Sequence, residues 1–175
     1  MKIKLIACIN KVNALGKNNE LLYHIPSDLA NFKRLTINEV IIMGKNTYES
    51  LPKKPLPNRT TIIINDDMEY LPKVEGEDSV FIADSIQSAL SIAETLDCES
   101  VWVVGGASIY SQFIAKKIVD EMFLTVVDDD TEGDVTFPLI NEDEFILRYK
   151  SHPIKEGKGK TAITHSLHIY EKKSK

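Results

Sequence analysis

Val40-Ile41-Ile42-Met43-Gly44-Lys45-Asn46-Thr47-Tyr48-Glu49-Ser50-Leu51 decides the architecture. Four successive apolar residues describe a strand buried on both faces, as strands of parallel sheets are. Gly44 closes the strand, a short helix follows over Lys45–Leu51, and Pro52 stops it. The design recurs at Val101-Trp102-Val103-Val104-Gly105-Gly106, which leads into a helix over Ser108–Lys117 with Ile109 and Phe113 inward. Further buried-strand runs lie at Ile3–Ile9, Thr60–Ile64, Val80–Ile82 and Met122–Val127. Ile86, Ala89, Leu90 and Ala93 mark an amphipathic helix by their spacing of three and four. Strands alternating with helices predict an α/β fold: a mostly parallel central sheet with helices on both faces. Phe145–Ser151 and Ala162–Tyr170, joined by the turn-rich Glu156-Gly157-Lys158-Gly159-Lys160, are expected to close it as a C-terminal antiparallel hairpin. A chain of 175 residues suits one domain spanning 1–175.

Composition narrows the function. Hydrophobic residues at 43% and charged residues at 27% are ordinary for a globular protein. A net charge of −5 leaves no basic stripe to neutralise nucleic-acid phosphates. No apolar run reaches membrane-spanning length, and the start Met1–Cys8 is too short and too interrupted by Lys4 for a signal peptide. Cys8 and Cys98 have no metal spacing, and a reducing cytoplasm is the expected location. No metal site is expected: His165 and His168 face opposite sides of a strand, and His24 and His152 read as solvated. The Asp128–Asp134 run reads as a solvated loop without the ligand order of an EF-hand.

The stretch Leu15–Lys33 holds the chemistry. A polar loop with Gly16, Asn18 and Asn19 runs into a helix at Pro26, whose missing N–H costs nothing at the first helical position. Asp28 in the first turn and Phe32 four residues on share a helix face flanked by Leu29 and Leu35. A carboxylate above an apolar surface has a raised pKa and welcomes a cationic or hydrogen-bonding ligand. Thr125, inside a buried strand, needs a hydroxyl partner, either Asp28 or a backbone carbonyl. Arg59 follows the stiff Pro55-Leu56-Pro57-Asn58 segment, which suits a fixed guanidinium fork for a carboxylate. The strand-end glycines at 44, 105 and 106 let backbone approach a ligand, and the helices after them present N–H groups to an anion.

These pieces together resemble dihydrofolate reductase over nearly the whole chain. The resemblance rests on Leu15-Gly16 with Ile25–Lys33, on Ile42–Ser50, on Pro55–Arg59, on Val104–Tyr110, and on Leu124-Thr125 with Gly133–Pro138. It implies hydride transfer from NADPH to 7,8-dihydrofolate by a monomer acting on a small molecule. By the same likeness Asp28 binds the pterin and promotes protonation at N5, with Thr125 in its network and Tyr23 on the closing loop. Ile6, Ala7, Leu29, Phe32, Lys33, Leu51, Arg59, Val104 and Tyr110 would bind substrate. Ala7, Leu15, Gly16, Gly44, Lys45, Asn46, Thr47, Asn65, Asp66, Gly105, Gly106, Ala107, Ser108 and Ile109 would bind cofactor. Gly105-Gly106 matches the family's cis Gly–Gly peptide, and Asn10–His24 its mobile loop. Departures are Tyr23 for a frequent tryptophan, Leu22 for proline, Lys45 for arginine and Ser108 for a basic residue. Asp66 stands where members present serine or arginine to the adenosine 2′-phosphate. A same-fold reductase of riboflavin synthesis is disfavoured by the Pro26–Phe32 face. A folate- or nucleotide-binding protein without turnover would rest on Tyr23 and the altered phosphate site alone.

Overall fold

The computed structural model describes residues 1–67 and 69–174; Met68, within the polar loop expected over Asp66–Asp78, lies outside them. Every buried-strand run becomes a strand: β1 (Lys2–Asn10), β4 (Val40–Gly44), β5 (Thr60–Ile64), β6 (Val80–Ala83), β7 (Ser100–Val103) and β8 (Glu121–Val127). Between them lie α1 (Pro26–Thr36), α2 (Lys45–Ser50), α3 (Ile86–Thr95) and α4 (Ala107–Ala115). The chain ends with β10 (Phe145–Lys150), β11 (Ile154–Glu156) and β12 (Ile163–Lys172).

Among the described residues these strands make a nine-stranded sheet in the order β10-β12-β8-β1-β7-β4-β5-β6, with β11 also on β12. The pairs of β1 with β7 and β8, of β4 with β5 and β7, and of β5 with β6 are parallel. Only β12 runs antiparallel to its neighbours β8, β10 and β11. Alternate residues of the same strands feed two cores. Leu5, Ala7, Ile42, Ile62 and Val103 pack with α3 and α4, while Ile6, Ile41, Met43, Ile63 and Trp102 pack with α1 and α2. That two-sided burial is why the strands read as unbroken apolar runs. β7 sits between β1 and β4 although it forms later in the chain, so connections diverge at the carboxyl ends there, where ligands bind in such sheets.

Two expectations need correction. The Asn10–His24 stretch is not a plain loop: β2 (Ala14–Lys17) and β3 (Glu20–Leu21) form a hairpin, and β9 (Val135–Thr136) extends it to three strands. Asn18 and Asn19 supply its turn at φ 53 and 63, the paired positive φ that a two-residue hairpin prefers. Backbones meet closely here. A Cβ on Gly16 would stand 2.6 Å from the Glu20 carbonyl, and one on Gly133 2.4 Å from the Gly16 carbonyl. The C-terminal hairpin also differs in detail, because Glu156 ends β11 rather than opening a turn. Gly157, at φ 90, makes the bend after it, and the chain reaches β12 through a short 3-10 turn over Gly159–Thr161.

Candidate active site

Asp28 sits where the sequence put it, in the first turn of α1 with Pro26 at its start. The helix lays this residue against β8, and the Thr125 hydroxyl donates to its Oδ1. That choice settles the Thr125 alternative in favour of Asp28. Thr125 is buried, and Cys8 stands opposite it across the β1–β8 pairing. Burial pushes the Asp28 carboxyl above its ordinary range; the Thr125 hydrogen bond and His165 pull it back, and Glu156 adds to the rise. Burial, then the neighbouring Asp28 charge, pushes the Cys8 thiol up to about 12, so Cys8 stays a neutral thiol at physiological pH. A half-buried carboxylate with one oxygen fixed offers a rigid double acceptor to two parallel N–H donors.

Ile6 and Ala7 are buried on β1 beside this carboxylate. The Ile6 carbonyl accepts from the Tyr110 hydroxyl at 2.7 Å, and burial keeps that phenol protonated. Phe32, Leu51 and Val104 are partly buried and pack against the core cluster that contains Ile6. Leu29 and Lys33 lie exposed on α1. The face beside Asp28 is therefore apolar and aromatic, edged with exposed side chains.

Arg59 is not a surface arginine: it is 6% exposed. Its Nε donates to the Thr36 hydroxyl at 3.2 Å, its Nη1 to the Pro57 carbonyl at 2.9 Å, and the guanidinium lies 5.9 Å from the Phe32 ring centre. Burial lowers its pKa and Asp78 raises it, yet an arginine in this range stays charged. Two bonds fix the fork while Nη2 has no protein partner among the described residues, leaving a donor edge for an anion beside Phe32.

Tyr23 is committed elsewhere. Its hydroxyl donates to Asp129 and accepts from Asn10 Nδ2 at 3.0 Å, and it is not hydrogen-bonded to Asp28. Burial and the Asp129 contact push its pKa up to about 12. Asn10 knots the segment further: Nδ2 reaches the Thr131 carbonyl at 2.7 Å, and Oδ1 accepts from the backbone of Val12 and Ala14 at 3.1 and 3.0 Å. Nor is the acidic run merely solvated. Asp128 pairs with Lys11 at 2.5 Å, and Asp134 accepts the Asn18 N–H at 2.8 Å. Asn10 and Asp129 went unmarked in the sequence because their work lies in partners far along the chain.

The second half of the site is backbone. Gly44 and Gly106 are the N-caps of α2 and α4, neither helix having a side-chain cap, and the Gly44 N–H donates to the Gly105 carbonyl at 2.9 Å. The Gly105–Gly106 peptide is cis. A Cβ on Gly44 would stand 3.1 Å from Ile109 Cγ1, and one on Gly106 3.1 Å from Thr47 Oγ1. The starts of the two helices thus abut, with Ala107 and exposed Asn46 and Ser108 around them. Ser108 accepts from Gln112 at 3.0 Å. Leu15 packs on the core from β2.

At the β5 edge Lys45 lies 3.7 Å from Asp67 and 4.5 Å over the Tyr70 ring. Asp66 is exposed, and the Asn65 amide donates to the exposed Asp67 carbonyl at 3.0 Å.

A half-buried carboxylate beside an apolar, aromatic face, with a glycine cradle at parallel strand ends, fits the class of nucleotide-dependent α/β reductases. The comparisons agree. The dihydrofolate reductase family model matches residues 2–172. The dihydrofolate reductase of Bacillus subtilis is 31% identical over 98% of this chain and 95% of its own length. That of Haemophilus influenzae is 32% identical over 87% and 88%. A solved dihydrofolate reductase from Enterococcus faecalis, complexed with NADP(H) and RAB-propyl, superposes with a TM-score of 0.79 at 26% identity, covering 99% of this chain and 97% of that one. The chain belongs to the dihydrofolate reductase family.

Proposed function

We propose that this protein reduces 7,8-dihydrofolate to 5,6,7,8-tetrahydrofolate with NADPH, and that Asp28 anchors the pterin. The observation that carries the reading is the half-buried Asp28 carboxylate, clasped by Thr125 and raised in pKa, above the Phe32 face. Asp28 accepts the pterin's 2-amino and N3 donors together and favours the protonated ring system, which helps a proton reach N5. Phe32, Leu51 and Val104 hold the ring by apolar contact, with Leu29 and Lys33 along the tail. The free edge of Arg59 takes a glutamate carboxylate.

When bound, NADPH would supply the hydride that reduces the pterin. The residues fit such a cofactor. The abutting helix starts after Gly44 and Gly106 would meet a Cβ at only 3.1 Å, and the backbone N–H groups that follow these glycines suit a pyrophosphate. Lys45, Asn46, Thr47, Ala107 and Ser108 lie around it, and Asn65 and Asp66 flank the ribose edge. Ala7, Leu15, Gly16, Gly105 and Ile109 line the nicotinamide side, where Tyr110 holds the Ile6 carbonyl. Tyr23 acts at a distance, holding the loop that shields this end from water.

The whole chain works as one domain and one monomer. Both cysteines are free, which suits a reducing cytoplasm. No described helix is long and apolar enough to cross a membrane. Oxidation of NADPH on addition of dihydrofolate, with tetrahydrofolate as product, is the test. Binding without turnover would leave a folate- or nucleotide-binding protein instead.

A further inference from the structure

We propose that Glu156, at the end of β11, is a positioning residue that caps α1 from outside and sets the orientation and charge environment of Asp28. The inference rests on the reading of Asp28 given above.

α1 begins without a cap of its own. Its N-cap is Ile25, which has no side-chain acceptor, and Pro26 has no N–H to satisfy. The first free donor is the Ser27 N–H. Glu156, 129 residues further on, accepts that N–H with Oε1 at 3.1 Å and the Ser27 hydroxyl with Oε2 at 2.5 Å. His165 Nε2 donates to the same Oε2 at 2.7 Å and stands 3.3 Å from the Ser27 hydroxyl. An ionised carboxylate at this place also meets the positive end of the helix dipole. The Ser27 bonds, opposed by burial, hold Glu156 below the ordinary glutamate range, so it is charged at neutral pH.

The clasp is built from the same strands as the site. His165 is 6% exposed on β12, opposite Val127 of β8, and two residues along that pairing Leu167 stands opposite Thr125. One sheet face therefore grips two adjacent residues of α1: Thr125 holds Asp28, and the Glu156–His165 pair holds Ser27. The groups that bear on Asp28 come from every element around it. Thr125 of β8 and His165 of β12 favour its ionised form, Glu156 of β11 opposes it, and Cys8 of β1 and Tyr110 of α4 are neutral at physiological pH. Glu156 thus keeps Asp28 in place and raises the proton affinity of the site that Asp28 forms with the pterin.

The test uses the full chain with 13C-labelled aspartate carboxyls, titrated by NMR, alongside the pH profile of kcat/KM for dihydrofolate. Glu156→Gln keeps an acceptor for the Ser27 N–H but loses the charge. The Asp28 midpoint should fall by roughly 0.5 pH unit, and the kinetic profile should move with it. Glu156→Ala should also lower kcat/KM for dihydrofolate about fivefold while leaving KM for NADPH unchanged. His165→Gln, which keeps a donor to Glu156 but removes the imidazole that lowers the Asp28 pKa, should move the Asp28 midpoint upward. An Asp28 midpoint unmoved by Glu156→Gln, with only a lower Tm, would reduce Glu156 to a structural cap and overturn the inference. Whether wild type turns dihydrofolate over judges the function; the Asp28 midpoint judges this clasp, and it can be read in either case.

Discussion

The two ends of the cleft are built from different materials. At the pterin end, side chains do the work: half-buried Asp28 is fixed by Thr125, and buried Arg59 is pinned by Thr36 and Pro57. At the dinucleotide end, the close approach is made by glycine backbone, and the one cation on α2, Lys45, is half-exposed and already shared between Asp67 and Tyr70. Charges held in a low-dielectric site act strongly, whereas an exposed pair contributes about 1 kcal/mol or less. Substitutions at the pterin end should therefore cost far more than charge changes at the phosphate end.

Asp28→Asn should have the largest effect. An amide is not a double acceptor and carries no charge to favour a protonated pterin, so kcat/KM should fall on the order of 10² to 10⁴. Stability should move the other way. The folded Asp28 pKa lies above its unfolded value, so its contribution is intact below the unfolded pKa and is lost as pH rises through the folded one. At neutral pH the Asn variant should melt higher than wild type, in a thermal scan run beside the kinetics. Equal activity with equal Tm would erase the contrast between the two ends.

Arg59→Ala comes next. Losing a charge-assisted contact costs about 1.5–3 kcal/mol, which should appear in KM for dihydrofolate and not for a pterin without the glutamate tail. Because Arg59 also bonds Thr36 and Pro57, Tm should fall as well. If both substrates suffer equally, the fork supports the fold and does not grip the tail.

Thr125→Val should be milder, about 2- to 10-fold in kcat/KM. The hydroxyl lowers the Asp28 pKa, so its loss should shift the pH profile upward, a direction opposite to that of Glu156→Gln.

The smallest effects belong to the phosphate end. Asp67→Ser releases Lys45 and should widen the preference for NADPH over NADH about two- to fivefold, as expected for an exposed pair. Lys45→Ala should narrow it by a similar factor, both through cofactor KM. A preference shifted by orders of magnitude would show that this end is as tightly built as the other.

What was legible follows the same division. The buried strands declared themselves through apolar runs, and Asp28 with Phe32 through their spacing on α1, because both signals are local. The β2–β3 hairpin was written in Asn18-Asn19, but strands of four and two residues leave no periodicity to read. Partners far along the chain were hidden. Nothing in the neighbourhood of Glu156 or Asp129 indicates Ser27 or Tyr23, and the choice of Asp67 over Asp66 depends on how the chain leaves β5. The Tyr23 hydroxyl ties the β1 end to the acidic loop, a role that its place on the closing loop does not announce.

The most direct test is the single-turnover rate of hydride transfer as a function of pH, measured for wild type and Asp28→Asn with saturating NADPH and dihydrofolate. In wild type the rate should be high at low pH and fall as pH rises through a midpoint above the ordinary carboxylate range, since the acid form of the Asp28–pterin pair delivers the proton. The Asn variant should be slow at neutral pH and recover toward wild type as the pH drops and the substrate arrives protonated. A variant as fast as wild type at neutral pH, with the same midpoint, would take Asp28 out of the reaction.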